Sequence, residues 1–171
     1  FLGALFYGAV YTIWLKRKSI WNIVIGGLAG SFATLAGSAA VNPIIAPEAV
    51  ILSVILFLWT PPHFWSLAMA IGDDYEKAGI PMLPNIISNS LTTYIILFHT
   101  IILVFVTALL MLYSSSLFYI FAIFIGGGYF IWTSILLAIK KTKSAAMKNF
   151  FGSFVQLGLL LILIIIDGII I

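Results

Sequence analysis

Apolar residues run through this chain in long unbroken stretches, and polar residues gather in short intervals between them. A bilayer core about 30 Å thick is crossed by roughly 20 residues of helix, and about six stretches of that kind nearly fill the sequence. The first, Phe1 to Leu15, is short; the second runs from about Asn22 to Val41 and the third from about Glu48 to Ala70. The fourth covers about Leu91 to Tyr113, the fifth about Leu117 to Ile139 and the sixth about Phe150 to Ile171. Continuous apolar runs predict helices, because the strands of a membrane barrel alternate in polarity and are about ten residues long. The expected fold is therefore all-α, a polytopic transmembrane helical bundle forming one membrane domain over residues 1–171.

Composition removes the main alternative. Of 171 residues, 63% are hydrophobic and 8% charged, with a mean hydropathy of +1.23; soluble domains average about 45–50% apolar and about 25% charged residues. A soluble globule is excluded. The net charge of +3 reads as membrane topology rather than nucleic-acid binding. The absence of cysteine excludes disulfides, thiolate metal sites and cysteine nucleophiles. The chain begins with Phe1 inside an apolar run with no basic segment before it. That is not the opening of a signal peptide, and N-terminal sequence is expected to be missing.

The basic residues fall in three connections: Lys16, Arg17 and Lys18 after the first span, Lys77 after the third, and Lys140, Lys141, Lys143 and Lys148 after the fifth. The intervals near Asn42 to Pro47 and Ser114 to Ser116 carry none. One side of the membrane thus receives every basic residue and is expected to be cytoplasmic. The small residues of the second span, Gly26, Gly27, Gly30, Ala33, Ala36 and Gly37 among them, permit close helix approach. Gly126, Gly127 and Gly128 serve the same end or loosen the fifth helix. Trp14, Trp21 and Trp132, with Tyr11, suit the membrane interface.

Two segments break the apolar rule in an organised way. The first, Phe57 to Trp65, contains Thr60-Pro61-Pro62-His63 inside the third span. Two prolines remove two backbone donors and are expected to kink or break the helix beside His63. A histidine there donates, accepts, titrates or ligates a metal, or simply bonds across helices. The second segment, Asp73-Asp74-Tyr75-Glu76-Lys77-Ala78-Gly79-Ile80-Pro81-Met82-Leu83-Pro84, follows the same span. Asp73 and Lys77 have the spacing of a helical ion pair. Asp74 lies about 16 Å beyond His63 along a helix, so both side chains could face one cavity. Adjacent carboxylates such as Asp73 and Asp74 suit Mg²⁺ shared with substrate phosphates. Lys16-Arg17-Lys18 is a topology signal, a contact for anionic lipid, or a diphosphate clamp if it lies beside that metal. His99 is expected to bond across helices. Asp167, a charge that would cost about 2.5–3.5 kcal/mol at mid-bilayer, is expected near a helix terminus.

Three motifs resemble the protoheme IX farnesyltransferase (heme O synthase) family of the UbiA superfamily. They are Tyr11 to Lys18 followed by Trp21 to Gly30, then Phe57 to Trp65, then Asp74 to Pro84. The resemblance implies a bundle of about nine spans around a lipid-facing cavity, with this chain as the C-terminal part. The superfamily's first motif, Asn-x-x-x-Asp-x-x-x-Asp, which holds Mg²⁺-diphosphate, has no match here. The second, Asp-x-x-x-Asp, falls on Ile71 and Tyr75 when aligned on Gly79 and Pro84.

The implied reaction moves a farnesyl group from farnesyl diphosphate to a vinyl group of heme B, with addition of water, giving heme O. The implied cofactor is Mg²⁺, with Asp73 and Asp74 as candidate ligands. Asp74, Tyr75 and His63 are candidate catalytic residues; Lys16, Arg17, Asn22 and Lys77 are candidate substrate-binding residues. Implied partners are membrane lipid and the heme A synthase or terminal oxidase assembly, in a bacterial or mitochondrial inner membrane. Without the first motif this chain alone is expected to lack turnover. Two alternatives stand beside this reading: a UbiA-type transferase with another aromatic acceptor, and a transporter or membrane scaffold.

Overall fold

The computed structural model describes residues 1–113 and 116–170. Among these every regular element is helical. Five helices are long and apolar enough to cross a membrane: α2 (Asn22–Val41), α3 (Pro47–Ala70), α6 (Asn89–Leu112), α7 (Leu117–Lys140) and α8 (Lys143–Ile170). A shorter apolar helix, α1 (Leu2–Leu15), precedes them, and two short polar-end helices, α4 (Gly72–Lys77) and α5 (Leu83–Ile86), link α3 to α6. This is an integral membrane helical bundle. Two serines of the expected connection at 114–116, and the last residue of the sixth span, lie outside the described residues.

α3 is the centre of the bundle and packs against α2, α6 and α8; α7 closes the layer between α6 and α8. The prolines do not break α3, which runs without interruption through Pro61 and Pro62, both buried. Hydroxyls supplement the backbone ladder around them. Thr60 Oγ1 donates to the Leu56 carbonyl at 2.8 Å and Ser66 Oγ to the Pro62 carbonyl at 2.6 Å. In lipid, where no water can take over abandoned backbone groups, local repair of this kind keeps a proline-bearing helix continuous. α8 starts at Lys143, several residues before the apolar run, because Lys143 to Asn149 contains no helix breaker and helix propensity there is independent of polarity.

Gly26 and Gly27 allow the close approaches expected of α2. A Cβ on Gly27 would lie 3.2 Å from Thr60 of α3, and one on Gly26 would lie 2.7 Å from the Tyr11 ring of α1. A Cβ on Gly30 or Gly37 would meet nothing within 4 Å. Of the three glycines of the fifth span, Gly126 and Gly127 sit at close approaches, whereas a Cβ on Gly128 would meet nothing within 4 Å. Gly126 and Gly127 belong to a π-helical stretch of α7, Ala122–Gly127, and a Cβ on Gly126 would lie 3.2 Å from the backbone of Gln156 on α8. Trp14, Trp21 and Trp132 are all exposed, as belt residues would be.

With no hydrophobic force between spans, buried polar contacts specify which helices meet. Asn149 of α8 is the hub. Its Nδ2 donates to Ser66 Oγ of α3 at 2.8 Å, while its Oδ1 accepts from Thr133 and Ser134 of α7 at 2.8 and 2.9 Å. Ser134 in turn meets Thr100 of α6 at 3.0 Å. Four spans are thereby joined through one amide.

Candidate functional site

Contacts at one end of the bundle unite the three basic connections. Asn22, fully buried at the start of α2, donates through Nδ2 to the carbonyls of Pro81 (2.9 Å) and Lys16 (3.3 Å). Lys143 at the start of α8 bonds Asp73 of α4 at 2.9 Å, and Lys141 donates to Ser90 of α6 at 3.0 Å. The motifs at 11–18 and 74–84, far apart in sequence, are therefore neighbours. Their link is the amide of Asn22, whose Oδ1 is buried and has no hydrogen-bond partner among the described residues.

Behind this tether, Tyr7, Tyr11, Lys16, Gly26, Thr60 and Phe64 line a cavity of about 220 Å³. The π-helical stretch Phe6–Leu15 brings Tyr7 and Tyr11 together with ring centroids 5.9 Å apart. Lys16 Nζ sits 5.9 Å from the centre of the Tyr11 ring, a cation–π distance that favours holding the ammonium at the cavity. Tyr75 of α4 packs against the same core cluster as Tyr11. Its phenol is pushed above its ordinary pKa by burial. A second, apolar cavity of about 800 Å³ lies between α1 and α2, lined by Leu2, Ala29, Phe32, Ala33 and Ala36. Tyr7 borders both cavities.

Other candidate residues lie elsewhere. Arg17, Lys18, Asp74 and Lys77 are exposed. Asp73 does not pair with Lys77 as its helical spacing suggested. It pairs with Lys143, whose hydrogen bond holds the Asp73 carboxyl below the usual carboxylate range. Lys143, the first residue of α8, reaches Asp73 in the first turn of α4 and takes the carboxylate. Among the described residues no group of three or more His, Asp or Glu side chains converges.

His63 is buried and turned toward α8. Its ring stacks on Trp59 (centroids 4.0 Å apart) and lies 4.4 Å from Phe150, and Nδ1 is 2.7 Å from Ser153 Oγ. Ser153 Oγ also donates to the Phe150 carbonyl at 2.6 Å. His63 is not among the residues lining the Lys16 cavity. His99 bonds within its own helix, through Nδ1 to the Ile95 carbonyl at 2.9 Å, and meets Trp65 edge-on, rather than bonding across helices. Asp167 is buried on α8.

Tyr7, Thr60 and Phe64 were not apparent as site residues from sequence. The only signal was the i, i+4 spacing of Tyr7 and Tyr11, which places both rings on one helix face. Gly26 carries a direct test. Gly26→Leu is expected to push the Tyr11 ring into the cavity and lower kcat/KM in the full-length enzyme about 100-fold, the scale of an ångström-sized misplacement. Near-native thermal stability measured alongside would locate the loss in the cavity, and unchanged kinetics would remove the cavity from the reaction.

The described residues thus form a helical membrane bundle with a cavity lined by Lys16, Tyr7 and Tyr11 and, on the other side of Tyr7, an apolar groove. The sequence pattern of the UbiA prenyltransferase family matches residues 1–155, and the chain belongs to that family. It is similar to protoheme IX farnesyltransferase 2 of Paramagnetospirillum magneticum, 53% identical over 98% of this chain and 58% of the relative. Protoheme IX farnesyltransferase 1 of the same organism is 42% identical over 98% of this chain and 59% of its own length. The Trichormus variabilis protoheme IX farnesyltransferase is 43% identical over 97% of this chain and 53% of its own. The chain thus spans a little over half the length of these curated relatives. No solved structure gave a significant match.

Proposed function

We propose that this chain forms part of an enzyme that transfers a farnesyl group from farnesyl diphosphate to a vinyl group of heme B, with addition of water, giving heme O. The observation carrying this reading is that Tyr7 borders both the Lys16 cavity and the apolar groove. A molecule with a charged head and a long apolar tail fits such a pair of spaces. The similar proteins are protoheme IX farnesyltransferases, which supports farnesyl transfer to protoheme IX as the reaction class.

Departure of diphosphate from an allylic carbon leaves positive character on the prenyl chain and adds negative charge to the leaving group. We assign the stabilisation of that charge to Lys16, a fixed cation lining the cavity. The phenols of Tyr7 and Tyr11, which line the same cavity, supply neutral donors beside it, and Tyr75 packs against the core cluster that Tyr11 also joins. The groove between α1 and α2 holds the tail away from water. Asp74 and Lys77, on the exposed side of α4, are assigned to the rim of the mouth, and Arg17 to the approach of the diphosphate. The residues present do not make a Mg²⁺ site: Asp73 is engaged by Lys143, and no three-carboxylate or histidine group converges among the described residues. We assign metal binding to the family's first aspartate motif, which these 171 residues lack, and expect the chain alone to be without turnover.

The full-length enzyme in proteoliposomes, given labelled farnesyl diphosphate with heme B or with a phenolic aromatic acceptor, tests the reading. Label in heme O supports it. Label in the phenolic product alone would assign the chain to a transferase with a different acceptor, and substrate flux without any prenyl product would assign it to transport.

A further inference from the structure

The lysines between α7 and α8 divide into two pairs. Lys141 is held by Ser90 and Lys143 by Asp73. Lys140 and Lys148 instead line a cavity of about 420 Å³ beneath the α7–α8 turn, with Thr142 and Ser144 beside them and Leu136 and Phe151 below. No acidic residue lines it. Lys148 Nζ lies 5.9 Å from the centre of the exposed Trp132 ring, and Phe151 is also exposed.

The depth of this cavity follows from helix length. α8 has 28 residues and is therefore about 42 Å long, while the bilayer core is about 30 Å thick. The surplus, with its lysines, lies at the N-terminal end, because the rest of α8 up to Asp167 carries no charge. Lys140, Thr142, Ser144 and Lys148 thus stand at headgroup depth, and Phe151 and Leu136 at the level where acyl chains begin. Two cations and two hydroxyls over an apolar floor match a phosphodiester joined to acyl chains. None of the residues around this cavity borders the Lys16 cavity.

We propose that this cavity is a binding site for an anionic phospholipid, with Lys140 and Lys148 holding the headgroup phosphate. The site docks the α7–α8 hairpin at the membrane surface and stands independently of the transferase reading. Native mass spectrometry of the purified protein in mild detergent, titrated with chain-matched phosphatidylglycerol and phosphatidylcholine, tests it. Phosphatidylglycerol is expected to bind about 25-fold more tightly, from two lysines at about 5-fold each. Lys140→Gln with Lys148→Gln should abolish the preference, either single variant should remove about 5-fold of it, and Lys140→Arg with Lys148→Arg should keep it. The single variants carry the test if the double variant does not fold. Lys141→Gln removes the same charge as a single variant outside the cavity and should leave the preference intact. An equal loss in Lys141→Gln would show diffuse surface charge and overturn the proposal. Displacement of the lipid by inorganic phosphate at equal concentration would also overturn it, since the acyl chains would then contribute nothing.

Discussion

Lys16→Gln in the full-length enzyme is expected to lower kcat/KM for farnesyl diphosphate about 100-fold, the loss typical of removing one preorganised group from a developing anion. Lys16 is half-buried, borders the cavity and is held near the Tyr11 ring, so its charge acts where little water competes. Arg17 and Lys18, its exposed neighbours, contact bulk solvent, and their replacement by Gln is expected to change kcat/KM by less than about 3-fold, as for screened surface charges. The split between constants is informative. A rise in KM alone would mean that Lys16 binds diphosphate equally before and during bond breaking, whereas a fall in kcat would place its contribution in the transition state. Steady-state kinetics in proteoliposomes measures both. Equal effects from Lys16→Gln and Arg17→Gln would return the basic triplet to topology alone.

Asn22→Leu is expected to destabilise the bundle by about 2–3 kcal/mol, because it removes two buried hydrogen bonds and strands the carbonyls they served. Loss of the unpartnered Oδ1 offsets part of that cost. The lost contacts are those holding the Lys16 turn against Pro81, so kcat/KM is expected to fall as well. Thermal unfolding in detergent reads the first effect and turnover at low temperature the second. Asn22→Asp keeps the shape but removes both donors and adds a buried charge, and is expected to be worse on both measures. An Asn22→Leu variant as stable as the wild type would show that the tether does not hold the two motifs together.

The two predictions differ in how far they were legible from sequence. Lys16 stands in a basic triplet beside a recognisable motif, but nothing in the order of residues separates it from Arg17. The separation comes from the π-helical turn before it and the close approach at Gly26, which together put one side chain at the cavity and leave the next in solvent. Asn22 reads as an ordinary polar residue at a span boundary. Its importance depends on Pro81, a partner 59 residues away, and a contact of that range has no local pattern. Asp73 was misleading for a related reason. Its i, i+4 partner was visible, while Lys143, 70 residues distant, was not.

Continuous apolar runs and their length alone determined that the chain is helical, membrane-embedded and divided into spans, although the last helix starts several residues before its apolar run. This follows because the bilayer imposes one length scale and one hydrogen-bonding rule on every crossing segment. The three motifs carried the family. Tertiary structure alone decided that α3 passes unbroken through Pro61 and Pro62, that His63 turns toward Ser153, and that two of four clustered lysines are committed to protein partners while two face a cavity. Each of these turns on the direction of a side chain relative to a neighbouring helix. In a medium that gives no hydrophobic drive between helices, that direction is set by small residues and a few buried polar bonds, whose partners lie far apart in the chain.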